Sequence, residues 1–376
     1  MSKKPKSTLW PLEPHTAGKH AVLREYLKAW LAIVGRGALP LQLIDGFAGP
    51  GEYVDGEHGS PLIMLHEVMK ARIPRGGTIS LHFMEDNSDR AANLRALIEK
   101  TYPNHPPHIV WEVEHARFTD IAQVPAVKRG LLAPAFVMVD PFGVSQTPME
   151  VLGLLLKSRS CELFVTLMLN DVARHCELDS WAGRLDSLFG TPTWREALGL
   201  TMNDLRRFAL LEIYTAQLRA NGAKYVLTFE LWQEGLYKYT IVFATTHPLG
   251  SKAMKEAIWA ALGTDIYIAP RRKPGQLDLD IATGGLQRRP ARELTLYLVT
   301  EFKGKSVSVE DLETWMTSDL HPFAPSHLRT ALKLLEDAEI LIVHVPDGVK
   351  RVANTFPRGK GLTIEFLSRG QLSRIR

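Results

Sequence analysis

The segment LQLIDGFAGPGEY (residues 41–53) decides the fold. Its first five residues are mostly apolar and end in an acid, Asp45, after which the chain enters a glycine-rich stretch that bends sharply. A short apolar run of this kind is typical of a strand buried on both faces of a parallel sheet. Glycines are needed where a chain turns tightly and where its backbone approaches a ligand. The segment therefore predicts a strand, a tight turn and a ligand site beside that turn.

Strand and helix patterns alternate around this segment. An apolar stripe at helical spacing predicts a helix over residues 17–35, with Thr16 as its N-cap. Further helices are predicted over 60–71 (with Ser60 as cap), 88–102 and 148–158, and further strands over 79–86, 109–115, 135–143 and 161–171. Alternation of this kind indicates βαβ units and one parallel sheet with helices on both faces.

A hairpin completes the pattern. Residues 172–222 are mainly helical, and two strand patterns follow over 224–232 and 236–246, joined closely enough for an antiparallel pair. Five parallel strands finished by a hairpin are typical of the Rossmann-like, doubly wound α/β sheet of class I methyltransferases. A ligand of such a sheet binds outside the carboxyl ends of the strands, where the strand order reverses.

The composition then shifts and a second domain follows. We assign residues 1–262 to the α/β domain, 263–290 to a linker rich in Gly, Pro and Arg, and 291–376 to the second domain. Three helical patterns and a hairpin with strands over 341–345 and 349–356 predict a winged helix.

The end of the chain is basic. Lys350, Arg351, Arg358, Lys360, Arg369, Arg374 and Arg376 face one acid, Glu365, within residues 350–376. Such a tail can contact nucleic-acid phosphates, and the alternative is a solvated, disordered tail.

The overall composition excludes several classes of protein. The chain has 376 residues, of which 45% are hydrophobic and 23% charged, so it can bury a large core. It has neither a long apolar run for a membrane span nor an apolar stretch for a secretory signal at its start. Cys161 and Cys176 are too few for a disulfide framework or a four-cysteine zinc site. We therefore expect a cytoplasmic protein with no membrane contact and no metal site.

The glycine-rich turn suggests a cofactor. It lacks the G-x-G-x-x-G spacing, so a pyrophosphate held on a helix N-terminus is not expected. The form D-x-F-A-G-x-G instead resembles motif I of S-adenosylmethionine (SAM) methyltransferases. The resemblance implies that the methionine part of SAM lies beside the turn residues, which are Asp45, Gly46, Phe47, Ala48, Gly49 and Gly51. The alternative is an ordinary tight turn.

Polar residues elsewhere are candidates for the rest of the cofactor. Glu85 ends the second strand, where an acid can accept hydrogen bonds from both ribose hydroxyls. Asp120 follows the third strand, where methyltransferases often place an adenine-contacting acid. Thr16 and Lys19 precede or begin the first helix and are candidates to close over the cofactor. Surface acids and helix caps are the alternatives.

The segment Asp140-Pro141-Phe142-Gly143 is the candidate site for the acceptor, the group that would receive the methyl group of SAM. Amino-group methyltransferases carry D/N-P-P-Y/F at the end of this strand, where the acid and the first proline carbonyl hold an amine toward the methyl group. Here Asp140 and Pro141 match, Phe142 comes one residue early, and glycine replaces the aromatic residue. We predict Asp140 and Pro141 as orienting residues and Phe142 as a stacking residue. Asn170 and Asp171, after the fifth strand, are predicted to line the substrate side.

Taken together, these motifs resemble the three-Cys-motif partner (TcmP) family. The matching stretches lie in residues 13–30, 43–53, 136–143, 163–175 and 243–259. The resemblance covers roughly residues 10–260 and implies a SAM-methyltransferase-like fold. It also implies a partner, a radical-SAM-like protein with a three-cysteine motif, but it gives no acceptor.

The sequence favours one function and leaves two alternatives. The favoured function is SAM-dependent methylation of nucleic acid, DNA or RNA, at a base amino group. The first alternative is a SAM-fold binding protein that works with a partner and has little or no activity. The second is a methyltransferase for a protein or a small molecule.

Overall fold

The computed structural model describes residues 7–37, 40–72, 77–233, 236–262 and 290–367. Within these ranges, no helix combines the length and apolar character that crossing a lipid bilayer requires.

Residue contacts divide the chain into two units, Met1–Ala269 and Pro270–Arg376. Most of the predicted linker, residues 263–289, lies outside the described residues. The last part of the predicted basic tail, residues 368–376, does so as well.

Seven strands form the sheet of the first unit. They are β1 (Leu41–Asp45), β2 (Ile79–Glu85), β3 (Ile109–His115), β4 (Ala135–Val139), β5 (Cys161–Leu167), β6 (Tyr225–Gln233) and β7 (Leu236–Thr245). Their order across the sheet is β3-β2-β1-β4-β5-β7-β6. Strands β1 to β5 are parallel, and β7 runs antiparallel to both of its neighbours. The predicted Rossmann-like sheet with a terminal antiparallel hairpin is confirmed.

Helices cover both faces of this sheet. They are α1 (Pro14–Val34), α2 (Ser60–Lys70), α3 (Ser88–Thr101), α4 (Pro125–Lys128), α5 (Met149–Leu156), α6 (Leu169–His175), α7 (Asp179–Phe189), α8 (Asn203–Ala220) and α9 (Pro248–Leu262). Leu43 of β1 lies in a buried core with residues of α1, α2 and α3. Its neighbour Ile44 lies in a second core with residues of α5, α7 and α8. Because both faces of β1 are buried, its sequence is a continuous apolar run rather than an alternating one.

Two predicted helix caps are wrong. α1 begins at Pro14, so Thr16 lies inside its first turn instead of capping it. In α2 the N-cap is Gly59, and the predicted cap Ser60 is the first helical residue, followed by Pro61. In both helices a proline stands in the first turn, where its fixed φ suits the helix and its missing N–H costs no hydrogen bond.

The fifth strand is shorter than predicted. β5 ends at Leu167, and the next residue, Met168, has φ −88° and ψ 67°, which is not strand geometry. The ladder between β5 and β7 also ends there, at the pair of Leu167 and Thr240. Asn170 and Asp171, which the prediction placed at the end of the strand, instead lie in the first turn of α6.

The second unit alternates helices with three short strands. Its elements are α10 (Pro290–Phe302), β8 (Ser306–Ser308), α11 (Val309–Met316), α12 (Leu328–Asp337), β9 (Leu341–His344) and β10 (Thr363–Phe366). The strands form an antiparallel sheet in the order β8-β10-β9.

The predicted hairpin of the second unit has the wrong second strand. Residues 349–356 are not a strand, and β9 pairs with β10 instead. Two features turn the chain away from the sheet: Asn354 has a left-handed φ of 61°, and Arg351 donates two hydrogen bonds to Glu336 of α12. The pairing depends on these contacts, which local patterning does not encode.

Candidate functional site

A cavity of about 420 Å³ lies at the carboxyl ends of β1, β4 and β5. Strand β1 pairs with β2 on one side and with β4 on the other, so the strand order reverses between β1 and β4. In doubly wound sheets this reversal opens a crevice at the carboxyl ends of the strands, where ligands bind. The cavity therefore lies where the sequence predicts the ligand site.

The glycine-rich turn presents backbone to this cavity through Phe47, Ala48, Gly49 and Gly51. Gly49 has φ 63° and Gly51 has φ 91°, a region that favours glycine. A Cβ at Gly51 would also lie 2.6 Å from Leu94 Cδ1. These glycines therefore fix a backbone shape that other residues would strain, and Gly51 in addition leaves room for the buried Leu94 side chain.

Asp45 is a fully buried carboxylate that does not itself line the cavity, whereas Phe47 and Ser60, close to it, do. Its Oδ1 accepts a hydrogen bond of 3.1 Å from the Phe47 N–H, whereas its Oδ2 has no hydrogen-bond partner in the part of the chain that the structure describes. Burial raises the pKa of Asp45 to about 6, and the nearby Ser60 hydroxyl offsets only part of that rise. A buried carboxylate oxygen without a donor is costly, which makes Asp45 a group that a ligand donor would stabilise.

Glu85 is also buried, but its carboxylate is satisfied. Oε2 accepts from the Gly49 N–H and Oε1 from the Asn87 N–H, both at 3.0 Å. Arg90 Nη1 lies 4.0 Å from the same carboxylate. Glu85 does not line the cavity, and in this structure it ties the end of β2 to the glycine-rich turn. Its contact with a ribose stays a prediction.

Two other predicted residues also lie outside the cavity lining. Asp120 is exposed, and its Oδ2 accepts a hydrogen bond of 3.0 Å from the Arg117 N–H within a short 3-10 segment. Gly46 faces the Phe118 ring, since a Cβ there would lie 2.4 Å from Phe118 Cδ2. Gly46 is thus required for packing under the turn, and the structure does not bring Asp120 to the site.

An ion pair occupies the acceptor side of the cavity. Asp140, directly after β4, accepts a hydrogen bond from the ammonium of Lys19 on α1, which is only 3% exposed. Burial raises the pKa of Asp140, but the Lys19 charge, the hydrogen bond from Lys19 and the nearby Thr166 hydroxyl together outweigh burial, and the pKa lies below its ordinary value. The neighbouring His20 has its pKa lowered to about 3, chiefly by burial and then by Lys19, so it is neutral at pH 7. Asp140, the residue predicted to bind the amine of the acceptor, therefore binds a lysine of its own chain.

The other predicted acceptor residues line the cavity as well. Pro141 and Phe142 follow Asp140, and Asn170 and Asp171 face the cavity from the first turn of α6. Asn170 Oδ1 accepts from Arg207 at 3.4 Å, which anchors that turn against α8.

The first turn of α1 is held against the hairpin. Thr16 lines the cavity, and the preceding His15 is within 3.0 Å of Gln233 Oε1 through its Nδ1. The Tyr239 hydroxyl donates to the His15 carbonyl at 2.8 Å, and Lys19 Nζ lies 5.4 Å from the Tyr239 ring centre. The hairpin therefore positions α1 so that Lys19 reaches Asp140.

Sequence reasoning missed several residues of the site. Trp10, Tyr53 and Tyr239 line the cavity, and Arg90 lies beside it under Trp10. Trp10, Tyr239 and Arg90 belong to no motif, and isolated aromatic or basic residues carry no signal of their own. Tyr53 ends the matching stretch 43–53 but has no distinct role in the motif, and His20 stands beside Lys19 without a signal of its own.

One cluster with metal-ligand chemistry occurs among the described residues. His82, Glu112 and Glu114 bring one ligand atom each within 4.8 Å of one another on β2 and β3. None of the three lines the cavity.

No protein-family model and no curated protein matches the chain. Among solved structures, an O-methyltransferase from Bacillus cereus in complex with SAH is 13% identical with a TM-score of 0.33, over 62% of this chain and 82% of that one. Magnesium protoporphyrin IX methyltransferase (ChlM) from Synechocystis PCC 6803, with bound SAH, is 12% identical with a TM-score of 0.32, over 61% and 84%. EvdMO1 is 9% identical with a TM-score of 0.33, and the match spans 61% of this chain but only 42% of EvdMO1. These likenesses assign no family, and membership of the three-Cys-motif partner family stays a prediction.

Proposed function

We propose that the first unit binds SAM and transfers its methyl group to an acceptor held between Lys19, Asp140 and α6. The observation that carries the proposal is Asp45, a buried carboxylate with one oxygen that has no hydrogen-bond partner among the described residues, directly before a glycine-rich turn at the switch point of the sheet. SAM carries an α-ammonium group on its methionine part, and such a donor would satisfy that oxygen.

The residues around the turn fit the cofactor. Asp45 would accept from the ammonium group, and Phe47 and Ala48 would shape the methionine pocket together with the bare backbone of Gly49 and Gly51, while Gly46 supports the turn from the Phe118 side. Bound SAM would supply a methyl group on its sulfonium: the nucleophile attacks the methyl carbon, the carbon–sulfur bond breaks, and S-adenosylhomocysteine leaves. The protein's part is to position both reactants and to keep water away from the sulfonium.

For the acceptor, we propose a base amino group of DNA or RNA. Asp140, Pro141 and Phe142 line the cavity as the resemblance to the amino-group motif requires. The second unit supports a nucleic-acid acceptor, because the order α10-β8-α11-α12-β9-β10 with a three-stranded antiparallel sheet agrees with the winged helix that we propose for it. A winged helix with exposed Lys350 and Lys360 would contact phosphates, so binding should weaken with salt.

One observation favours a second candidate, a SAM-binding protein without turnover. Lys19 already donates to the Asp140 oxygen that an amine would need. In this function the site would sense or retain SAM, and a partner such as a radical-SAM-like three-Cys-motif protein would perform the reaction.

Methyl transfer from labelled SAM to DNA, RNA and protein separates these candidates. We expect transfer to nucleic acid, lost in Asp140→Ala while the Kd for SAM stays within about tenfold, or roughly 1.4 kcal/mol. Asp179→Ala is the matched control, because Asp179 is an exposed acid of α7 outside the cavity and should keep full activity. Persistent transfer in Asp140→Ala would contradict the acceptor assignment, and SAM binding without any transfer would favour the second candidate.

A further inference from the structure

Trp10 fills one end of the cleft. The cavity is lined by the residues predicted to hold methionine and acceptor, but not by Glu85 or Asp120, which are predicted to hold the nucleoside. Trp10 belongs to residues 7–13, the segment before α1, and its indole lies over the glycine-rich turn on the side of Arg90.

Four residues form a box around this indole. The Arg90 guanidinium lies 5.0 Å from the Trp10 ring centre. The rings of Phe142 and Tyr53 meet the indole edge to face, with centroids 5.7 Å and 6.1 Å away. On the turn side the indole faces the bare backbone of Gly49. A Cβ at this position would be 3.6 Å from Trp10 Cη2.

Such a box suits a planar heteroaromatic ring. A cation over an aromatic face is attractive, and aromatic pairs prefer edge-to-face geometry. Arg90 is only 3% exposed and is oriented next to Glu85, with its Nη1 4.0 Å from Oε1. Indole and purine are both flat, fused two-ring systems of similar size, so the box that accepts Trp10 would also accept adenine.

Few hydrogen bonds hold the segment in place. The Val54 N–H donates to the Trp10 carbonyl at 3.1 Å, and Arg90 Nη2 reaches the Ser7 carbonyl at 3.5 Å. Glu13, the N-cap of α1, accepts hydrogen bonds from the Thr16 and Ala17 N–H groups and stays with the helix. Residues 7–12, held by the two hydrogen bonds above and by the contact of the indole with the box, can leave without disturbing the sheet or α1.

We propose that Arg90, Tyr53 and Gly49 form the subsite for the adenine ring, with Phe142 at its border with the acceptor, and that Trp10 occupies it until the nucleoside displaces residues 7–12. The identity of the nucleoside as part of SAM rests on the proposed function. The chain thereby lowers its own affinity for the nucleoside, because the apparent affinity is the intrinsic affinity multiplied by the fraction of molecules whose site is open. A segment seated about 90% of the time would weaken binding about tenfold.

The test is calorimetric titration of the full chain and Trp10→Ala with two probes, adenosine and S-adenosylhomocysteine. We expect Trp10→Ala to bind both probes at least about tenfold more tightly than the unaltered chain, and Trp10→Phe to fall between them. Trp111→Ala is the matched control, because this partly buried tryptophan of β3 does not line the cavity, and its affinities should not change. Trp10→Phe keeps a ring in the box and preserves the test if the alanine variant does not fold.

Each other outcome has a defined meaning. Tighter adenosine binding without any binding of S-adenosylhomocysteine or SAM would support the subsite and refute the proposed function. Unchanged affinity, or no binding of either probe by any variant, would overturn the subsite. Weaker binding by Trp10→Ala would also overturn it, because Trp10 would then be a lid that stacks on the bound ring.

Discussion

Asp45 and Glu85 end adjacent strands of the same sheet, both are buried, and burial raises the pKa of both carboxyl groups. They differ in their partners. Both oxygens of Glu85 accept backbone N–H groups, whereas one oxygen of Asp45 has no partner in the described residues. Two acids at equivalent strand ends therefore differ in role. Glu85 stabilises the glycine-rich turn through its hydrogen bonds, whereas one oxygen of Asp45 can still accept a hydrogen bond from a ligand.

The largest expected effect is on stability at Glu85. Glu85→Ala removes two charge-assisted hydrogen bonds, each worth about 1.5–3 kcal/mol, and should lower the free energy of unfolding by roughly 3 kcal/mol or more. Denaturant unfolding measures this loss. Asp120→Ala, which removes an exposed acid with a single backbone contact, should cost far less. Equal losses of unfolding free energy in the two variants would mean that Glu85 stabilises the fold no more than an exposed acid does.

A smaller effect of opposite sign is expected at Asp45. Its pKa is about 6 in the folded chain, against an ordinary value of 3.8, so the folded state binds more protons between these values. Stability should therefore fall as pH rises from about 4 to about 6, by roughly 2 kcal/mol from this group, and then level off. Asp45→Asn should remove that slope. A wild-type pH profile retained in Asp45→Asn would contradict the assignment of the slope to this group.

The smallest expected loss of stability is for a substitution in the second unit, at a residue that does not line the cavity. Ser308 caps α11 by accepting a hydrogen bond of 3.0 Å from the Asp311 N–H. Ser308→Ala should cost about 1 kcal/mol of stability of that unit and leave SAM affinity unchanged. Ser308→Thr, which keeps the hydroxyl, is the control. A change in SAM affinity would mean that the cofactor site depends on the second unit.

Local patterns were enough to predict the sheet but not all of its surroundings. LQLID predicted β1 with its observed bounds because a doubly buried strand must be apolar throughout. The second strand of the predicted hairpin failed because Arg351 binds Glu336, fifteen residues earlier, and pulls the chain away from β9. Asn170 was placed on a strand because the apolar run continues into α6 without a break.

The site was predicted only where a motif marks it. The glycine-rich turn and Asp140 belong to recognisable motifs. Lys19 and Asp140 are 121 residues apart in the sequence, and no local pattern predicts that they form an ion pair. Trp10 and Arg90 are single residues in unremarkable surroundings. Their importance arises only when the fold brings them to the end of β1.

The most direct measurement of the central claim is calorimetric titration of SAM into the chain and into Asp45→Asn, at pH 7 and pH 5. If Asp45 accepts from the cofactor in its ionised form, the unaltered chain should lose roughly tenfold in affinity at pH 5, where about a tenth of the group is ionised. Asp45→Asn should bind at least tenfold more weakly at pH 7 and show no such pH dependence. Equal affinity of the two proteins at pH 7, or no binding of SAM by the unaltered chain, would contradict the account.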